Sequence, residues 1–106
     1  MPQTFTVVAK TSTPQTFSGS LPAGSLAVQL SAIPRVHLET TGVGSAVMQV
    51  ITSLNGTTWL PYGPQITASN VIGGLGSLYL QSIPAYLSAY LVSVSGVAAQ
   101  IDVSVN

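Results

Sequence analysis

Charge is what this 106-residue chain lacks most. Its charged side chains are Lys10, Arg35, Glu39 and Asp102, only 4% of the residues, against about 25% in an ordinary soluble domain. Acid–base catalysis needs titratable groups, so most enzymatic machinery is excluded. No cluster of Lys and Arg is present to neutralise phosphates, which argues against nucleic-acid binding and against a genome-packaging coat protein with a basic arm. Cysteine is absent, so there is neither a disulfide framework nor a thiolate metal site. One histidine and two carboxylates fall short of the usual zinc and calcium ligand sets, and no cofactor signature is present. Long apolar runs are also missing. The best candidates, Ala46–Ile51 and Tyr86–Val94, are far shorter than the roughly 20 residues of a spanning helix. The N-terminal MPQTFTVVAK lacks the basic start and apolar run of a signal peptide, and the expectation is a chain made without one.

What is present is Ser, Thr, Gln, Asn, Gly and apolar side chains. A surface built from them has little charge repulsion to keep copies apart. The expectation is a protein that works by being assembled, with itself as one partner. The length suits a single domain, residues 1–106, able to bury a core without staples.

The local signals are for strands. Val, Ile, Thr, Tyr and Phe occur in short runs separated by Gly, Pro and Asn, and no apolar helical spacing persists for three turns. The expected strands are Gln3–Ala9, Gln15–Ser20, Ala27–Ala32, Val36–Thr40, Ala46–Ser53, Trp59–Tyr62, Ser77–Gln81, Leu87–Ser95 and Ala99–Val105. Asn55-Gly56 suits a hairpin turn, and Gly42-Val43-Gly44 and Ser95-Gly96 read as turns between further strand pairs. Residues Gly63 to Gly76 read as the longest loop, with Gly73-Gly74-Leu75-Gly76 as a flexible segment. It is no phosphate loop, because the trailing Lys-Ser/Thr is missing. Leu30-Ser31-Ala32-Ile33-Pro34 recurs as Leu80-Gln81-Ser82-Ile83-Pro84, and Gln49–Ser53 aligns with Gln100–Ser104. Together these predict an all-β, antiparallel, jelly-roll-like β-sandwich of eight or nine short strands in two related halves. Several strands, notably Ala46–Ile51 and Tyr86–Val94, are apolar on both faces and so require cover from elsewhere.

Two groups of residues could carry chemistry. Arg35, His37 and Glu39 alternate along one strand and share a face. They could form a general base oriented by a carboxylate beside an anion-holding guanidinium. The plainer reading is a solvated or subunit-facing strand, and no nucleophile motif accompanies them. A glycosidase would require Glu39 and Asp102 to converge, and nothing in the sequence argues for it. Trp59, Tyr62, Tyr79, Tyr86 and Tyr90 could form an aromatic platform for a sugar, or be ordinary core and interface aromatics. Asn55-Gly56-Thr57 matches a glycosylation pattern, but a turn explains Asn-Gly better.

The stretch Gln49-Val50-Ile51-Thr52-Ser53-Leu54-Asn55-Gly56-Thr57-Thr58-Trp59 resembles small β-sandwich virion structural proteins of tailed bacteriophages. The resemblance continues through Leu60-Pro61-Tyr62, Gly73-Gly74-Leu75-Gly76 and Ile83-Pro84-Ala85-Tyr86 and covers residues 45–106. It departs at Leu87-Ser88-Ala89, where such proteins often carry an Arg after the Tyr. The resemblance implies a capsid decoration protein or a tail- or fibre-associated module, located in the virion after synthesis in the host cytoplasm. Its partners would be itself and other virion proteins such as capsid or tail. It implies no catalytic residues. A carbohydrate- or surface-binding module, with a glycan as partner, is the alternative.

Overall fold

The computed structural model describes residues 3–69 and 74–105. Among them the fold is all-β and antiparallel: β1 (Gln3–Thr11), β2 (Arg35–Ser53), β3 (Trp59–Ser69), β4 (Leu75–Tyr79) and β5 (Tyr86–Val105). They form one sheet in the order β1-β5-β2-β3, with β4 also paired to β2 and no closure into a barrel. The eight or nine short strands expected of a jelly-roll-like sandwich are thus replaced by five in one continuous ladder.

The difference lies mostly in the glycines. Gly42-Val43-Gly44 and Ser95-Gly96 are not turns. They lie inside β2 and β5, where the pairing passes from Gly42↔Val97 to Ser45↔Ser95 across a register shift. Val36–Thr40 and Ala46–Ser53 are therefore two parts of β2, and Leu87–Ser95 and Ala99–Val105 two parts of β5. A straight strand of 20 residues would span about 65 Å. The molecule's longest dimension is 37 Å, so both long strands bend. The bend is where backbones come closest: a Cβ on Gly44 would lie 1.9 Å from the Ser95 carbonyl oxygen, and one on Gly96 2.3 Å from that of Val43. Glycine is required there for space as much as for its positive φ.

Bending divides the sheet into a first half (β1, the C-terminal part of β5, the N-terminal part of β2, and β4) and a second half (the remainder of β5 and β2, with β3). Both halves supply one core. Val36, Leu38, Leu80, Ile101 and Val103 from around the first pack in one cluster with Met48, Val50, Leu87, Ala89 and Leu91 of the second. Phe5 is partly exposed while Val7 and Val8 are both buried, because β1 bulges between Thr6 and Val8.

Gln15–Ser20 and Ala27–Ala32 are not strands. The segment from residue 12 to 34 instead runs along the β5 edge of the second half, held by individual bonds. Gln15 N–H donates to the Leu91 carbonyl and Leu91 N–H to Gln15 Oε1, both at 2.9 Å. Ser25 Oγ donates to the Ala89 carbonyl at 2.8 Å, and Val28 bridges Leu87. Phe17 stacks on Tyr90 with centroids 5.2 Å apart, and Trp59 N–H donates to the Gly19 carbonyl at 2.9 Å. Between its bonds to β5 and to Trp59 the segment carries Phe17 across the outer face, which supplies cover for the two-sided apolarity of the second half.

β3 extends to Ser69 instead of ending at Tyr62, so most of the expected Gly63–Gly76 loop is strand. Leu75 and Gly76 of the supposed flexible segment lie in β4, while Gly73 falls outside the described residues. β3 bulges between Tyr62 and Ile66, where its register against β2 shifts, and two of its carbonyls turn to the Gln49 side chain. Gln49 Nε2 donates to them, Tyr62 O at 3.1 Å and Gly63 O at 3.2 Å.

The hairpin at Asn55-Gly56 forms as the sequence predicts. Asn55 Oδ1 accepts from the N–H groups of Thr57 and Thr58 at 2.9 Å. Ser53 Oγ accepts from Gly56 N–H at 2.8 Å and donates to the Thr58 carbonyl at 2.6 Å. Asn55→Ala strands two turn donors and is expected to cost about 1–2 kcal/mol, read as a lowered thermal midpoint; an unchanged midpoint would show that the turn holds without its side chain.

Candidate functional site

The repeated Leu-x-x-Ile-Pro segments converge. Each leads into one of the two long strands, and Leu80 N–H of the second donates to the Pro34 carbonyl of the first at 3.2 Å. Leu80 is buried and lines two surface clefts that meet there. The larger, about 600 Å³, is bounded by Leu54, Leu60, Tyr62, Ile83 and Pro84, with Ser53, Asn55 and Ser82 at its polar positions. The smaller, about 290 Å³, is bounded by Ile33, Arg35, Tyr79 and Ser104. Ile33, Leu54, Leu60, Tyr79 and Ile83 are all exposed large apolar side chains, Leu54 to 92%. Proline and a short tight loop hold them out: Ile33 and Ile83 each precede a proline, and Leu54 sits at the start of the Ser53–Thr58 turn. The result is an apolar belt around Leu80, bare of charge except for Arg35.

Arg35, His37 and Glu39 share a face, as their spacing predicts. They lie on the outside of the first half, with Val36 and Leu38 turned to the core. Pairing places Tyr79, Ser77 and Leu75 of β4 on one side of them and Ser104, Asp102 and Gln100 of β5 on the other. The Arg35 guanidinium lies 5.2 Å from the Tyr79 ring centroid and donates to its hydroxyl at 3.3 Å. His37 Nδ1 is 3.1 Å from Ser77 Oγ, and Nε2 is 2.8 Å from Ser104 Oγ. Asp102 is buried and accepts from Thr6 Oγ1 at 2.8 Å and from Gln100 Nε2 at 3.0 Å.

A serine hydroxyl beside a histidine is the beginning of a nucleophilic site. Here a second serine, not a carboxylate, occupies the other ring nitrogen. The pair lies on the outer face of a strand. Glu39 does not orient His37; its Cα partners are Leu75 and Gln100. Glu39 and Asp102 do not pair with each other in the ladder, and Asp102 spends its oxygens on Thr6 and Gln100.

The aromatic platform does not assemble. Trp59 is buried at 1% exposure, with Nε1 donating to the Gly56 carbonyl at 3.3 Å. Tyr90 is half-buried under Phe17, and Tyr86 lies against the Gly56 backbone. Tyr62, half-buried, reaches the larger cleft, and Tyr79 reaches the smaller one. The belt residues Ile33, Leu54, Leu60, Leu80 and Ile83 were not readable as a site, although the repeated Leu-x-x-Ile-Pro segments mark part of it.

No protein-family model matches the sequence, and no curated protein sequence matches it. Among solved structures the chain is similar to the crystal structure of the SPBc2 prophage-derived protein YomS, with a TM-score of 0.54 and 7% identity, over 100% of this chain and 94% of that one. At that identity the likeness is one of fold.

Proposed function

We propose that this chain is a non-enzymatic structural component of a bacteriophage particle, a capsid decoration or head- or tail-associated protein that acts by self-assembly and by docking on the particle. The observation that carries the reading is the belt around Leu80, exposed apolar side chains on a chain with almost no ions. Such a surface binds by removing apolar area from water, at about 25 cal/mol per Å², less the lost freedom of each subunit. Repetition over a lattice multiplies a contact that is weak alone. The fold likeness to a prophage-derived protein supports the same reading, as does the sequence resemblance over residues 45–106. In this view the bent sheet acts as a two-layer sandwich whose halves share the core, and the belt docks at one end.

The glycan-binding alternative relied on exposed aromatics, and Trp59, Tyr86 and Tyr90 are engaged within the fold. The test is to introduce Leu60→Asp and Ile83→Asp in the phage or prophage that encodes the chain and to purify particles. Both side chains are exposed, so the variants should fold, and burying each apolar side chain is worth about 1.5–3 kcal/mol. The expected result is a loss of at least ~10-fold in particle-bound chain per substitution. Unchanged incorporation would remove the belt from the mechanism; saturable glycan binding by the purified chain that perturbs Tyr62 would favour the alternative.

A further inference from the structure

We propose that the outer face of the first half is a self-recognition surface, on which two copies pack face to face about a twofold axis passing by His37. The proposal rests on the self-associating part of the functional reading and does not need the particle.

Arg35, Glu39 and Asp102, with the lone histidine, sit on this one face of a chain that has four charged residues in all. Asp102 is satisfied by its own neighbours. Arg35 and Glu39 are not paired with each other: four residues apart on a strand, their Cα atoms are about 13 Å apart. Glu39 is exposed, and no described residue donates to its carboxylate. A cation and an anion have therefore been placed at equal distances on either side of His37, each without an opposite charge.

A twofold axis lying between two stacked sheets, perpendicular to β2, lays β2 antiparallel over its copy. Arg35 then faces the partner's Glu39, and Glu39 the partner's Arg35. The flanking strands match under the same operation. Tyr79, beside Arg35, faces the partner's Leu75, and these two side chains are 63% and 61% exposed. Ser104 faces the partner's Gln100. Away from the axis, cation meets anion, apolar meets apolar and polar meets polar, the self-complementarity that a twofold interface demands; on the axis His37 meets its own copy, and the two Asp102 carboxylates are buried and turned to Thr6 and Gln100 of their own chains. Stacked sheets lie about 10 Å apart, a gap that an Arg and a Glu reaching from opposite sides can close. The occupant is thereby fixed by charge complementarity: a second copy of this chain. The other half supplies the contrast, since its outer face is covered by the chain's own segment carrying Phe17 and Gly19.

The test is a charge reversal with rescue. Sedimentation equilibrium of the wild-type chain should show a dimer. Arg35→Glu alone and Glu39→Arg alone each place like charges opposite one another and should weaken it at least ~10-fold, while circular dichroism shows both still folded. The double variant Arg35→Glu/Glu39→Arg restores opposite charges and should recover dimerisation. Because the chain has no cysteine, His37→Cys provides a second measure: a short bis-maleimide should cross-link it to a dimer. A wild-type monomer, single reversals without effect, a double variant no better than either single one, or no cross-linked dimer would each overturn the proposal. A monomer that still enters particles would sink this face alone, whereas a rescued dimer absent from particles would sink the particle role alone.

Discussion

Gly44→Ala is expected to destabilise the protein by about 3 kcal/mol or more, lowering the thermal midpoint by roughly 12 °C or more. The new Cβ would lie 1.9 Å from the Ser95 carbonyl oxygen and 2.9 Å from its carbon. Both are backbone atoms of the neighbouring strand, so no side chain can rotate away. Relief requires the two long strands to separate at the bend, and that bend brings both halves of the sheet onto one core. Gly19→Ala is the control. Gly19 also has a positive φ, 94°, but a Cβ there meets nothing within 4 Å. It should cost only the conformational strain, about 1 kcal/mol. Equal losses at the two sites would mean that the close approach of β2 and β5 is not what holds the bend.

Trp59→Ala is expected to cost about 3–5 kcal/mol, enough to unfold much of a marginally stable domain. The ring is among the largest fully buried side chains, and the residue ties β3 to Gly19 through its backbone and to Gly56 through its indole. The loss should appear in urea unfolding with no ligand present. Trp59→Phe keeps most of the packing and should cost far less. A Trp59→Ala chain of normal stability that had lost only glycan binding would contradict the burial and restore the aromatic-platform reading.

Legibility in the sequence followed sequence distance. The Asn55-Gly56 hairpin is made by residues within a few positions of each other, and it formed as expected. Alternation brings Arg35, His37 and Glu39 onto one face, and the structure shows that face outside, with Val36 and Leu38 between them turned to the core. The mid-strand glycines misled because a positive φ serves a turn and a bulge equally well. Only the close approach of Ser95 to Gly44 distinguishes them, and that contact joins residues half a chain apart. Residues Gln15–Ser20 and Ala27–Ala32 have β-prone composition but find single bonding partners, Leu91 and Leu87, instead of a ladder. The aromatics were ambiguous because a Trp or Tyr serves a core and a sugar site alike, and the covering residue Phe17 is remote from all of them. The belt was illegible for the same reason: Ile33, Leu54, Leu60 and Ile83 come from three separate connections and a strand, brought together by the fold around Leu80.

A structural component of a phage particle is present in it at a fixed stoichiometry. Quantitative mass spectrometry of density-purified particles, from the phage or induced prophage that encodes the chain, decides whether it is such a component. The expected result is the chain in many copies per particle, at a fixed ratio to the major capsid or tail protein and resistant to high-salt washing, as follows for a contact with few ions to screen. A chain abundant in the lysate but missing from the purified particles would contradict it.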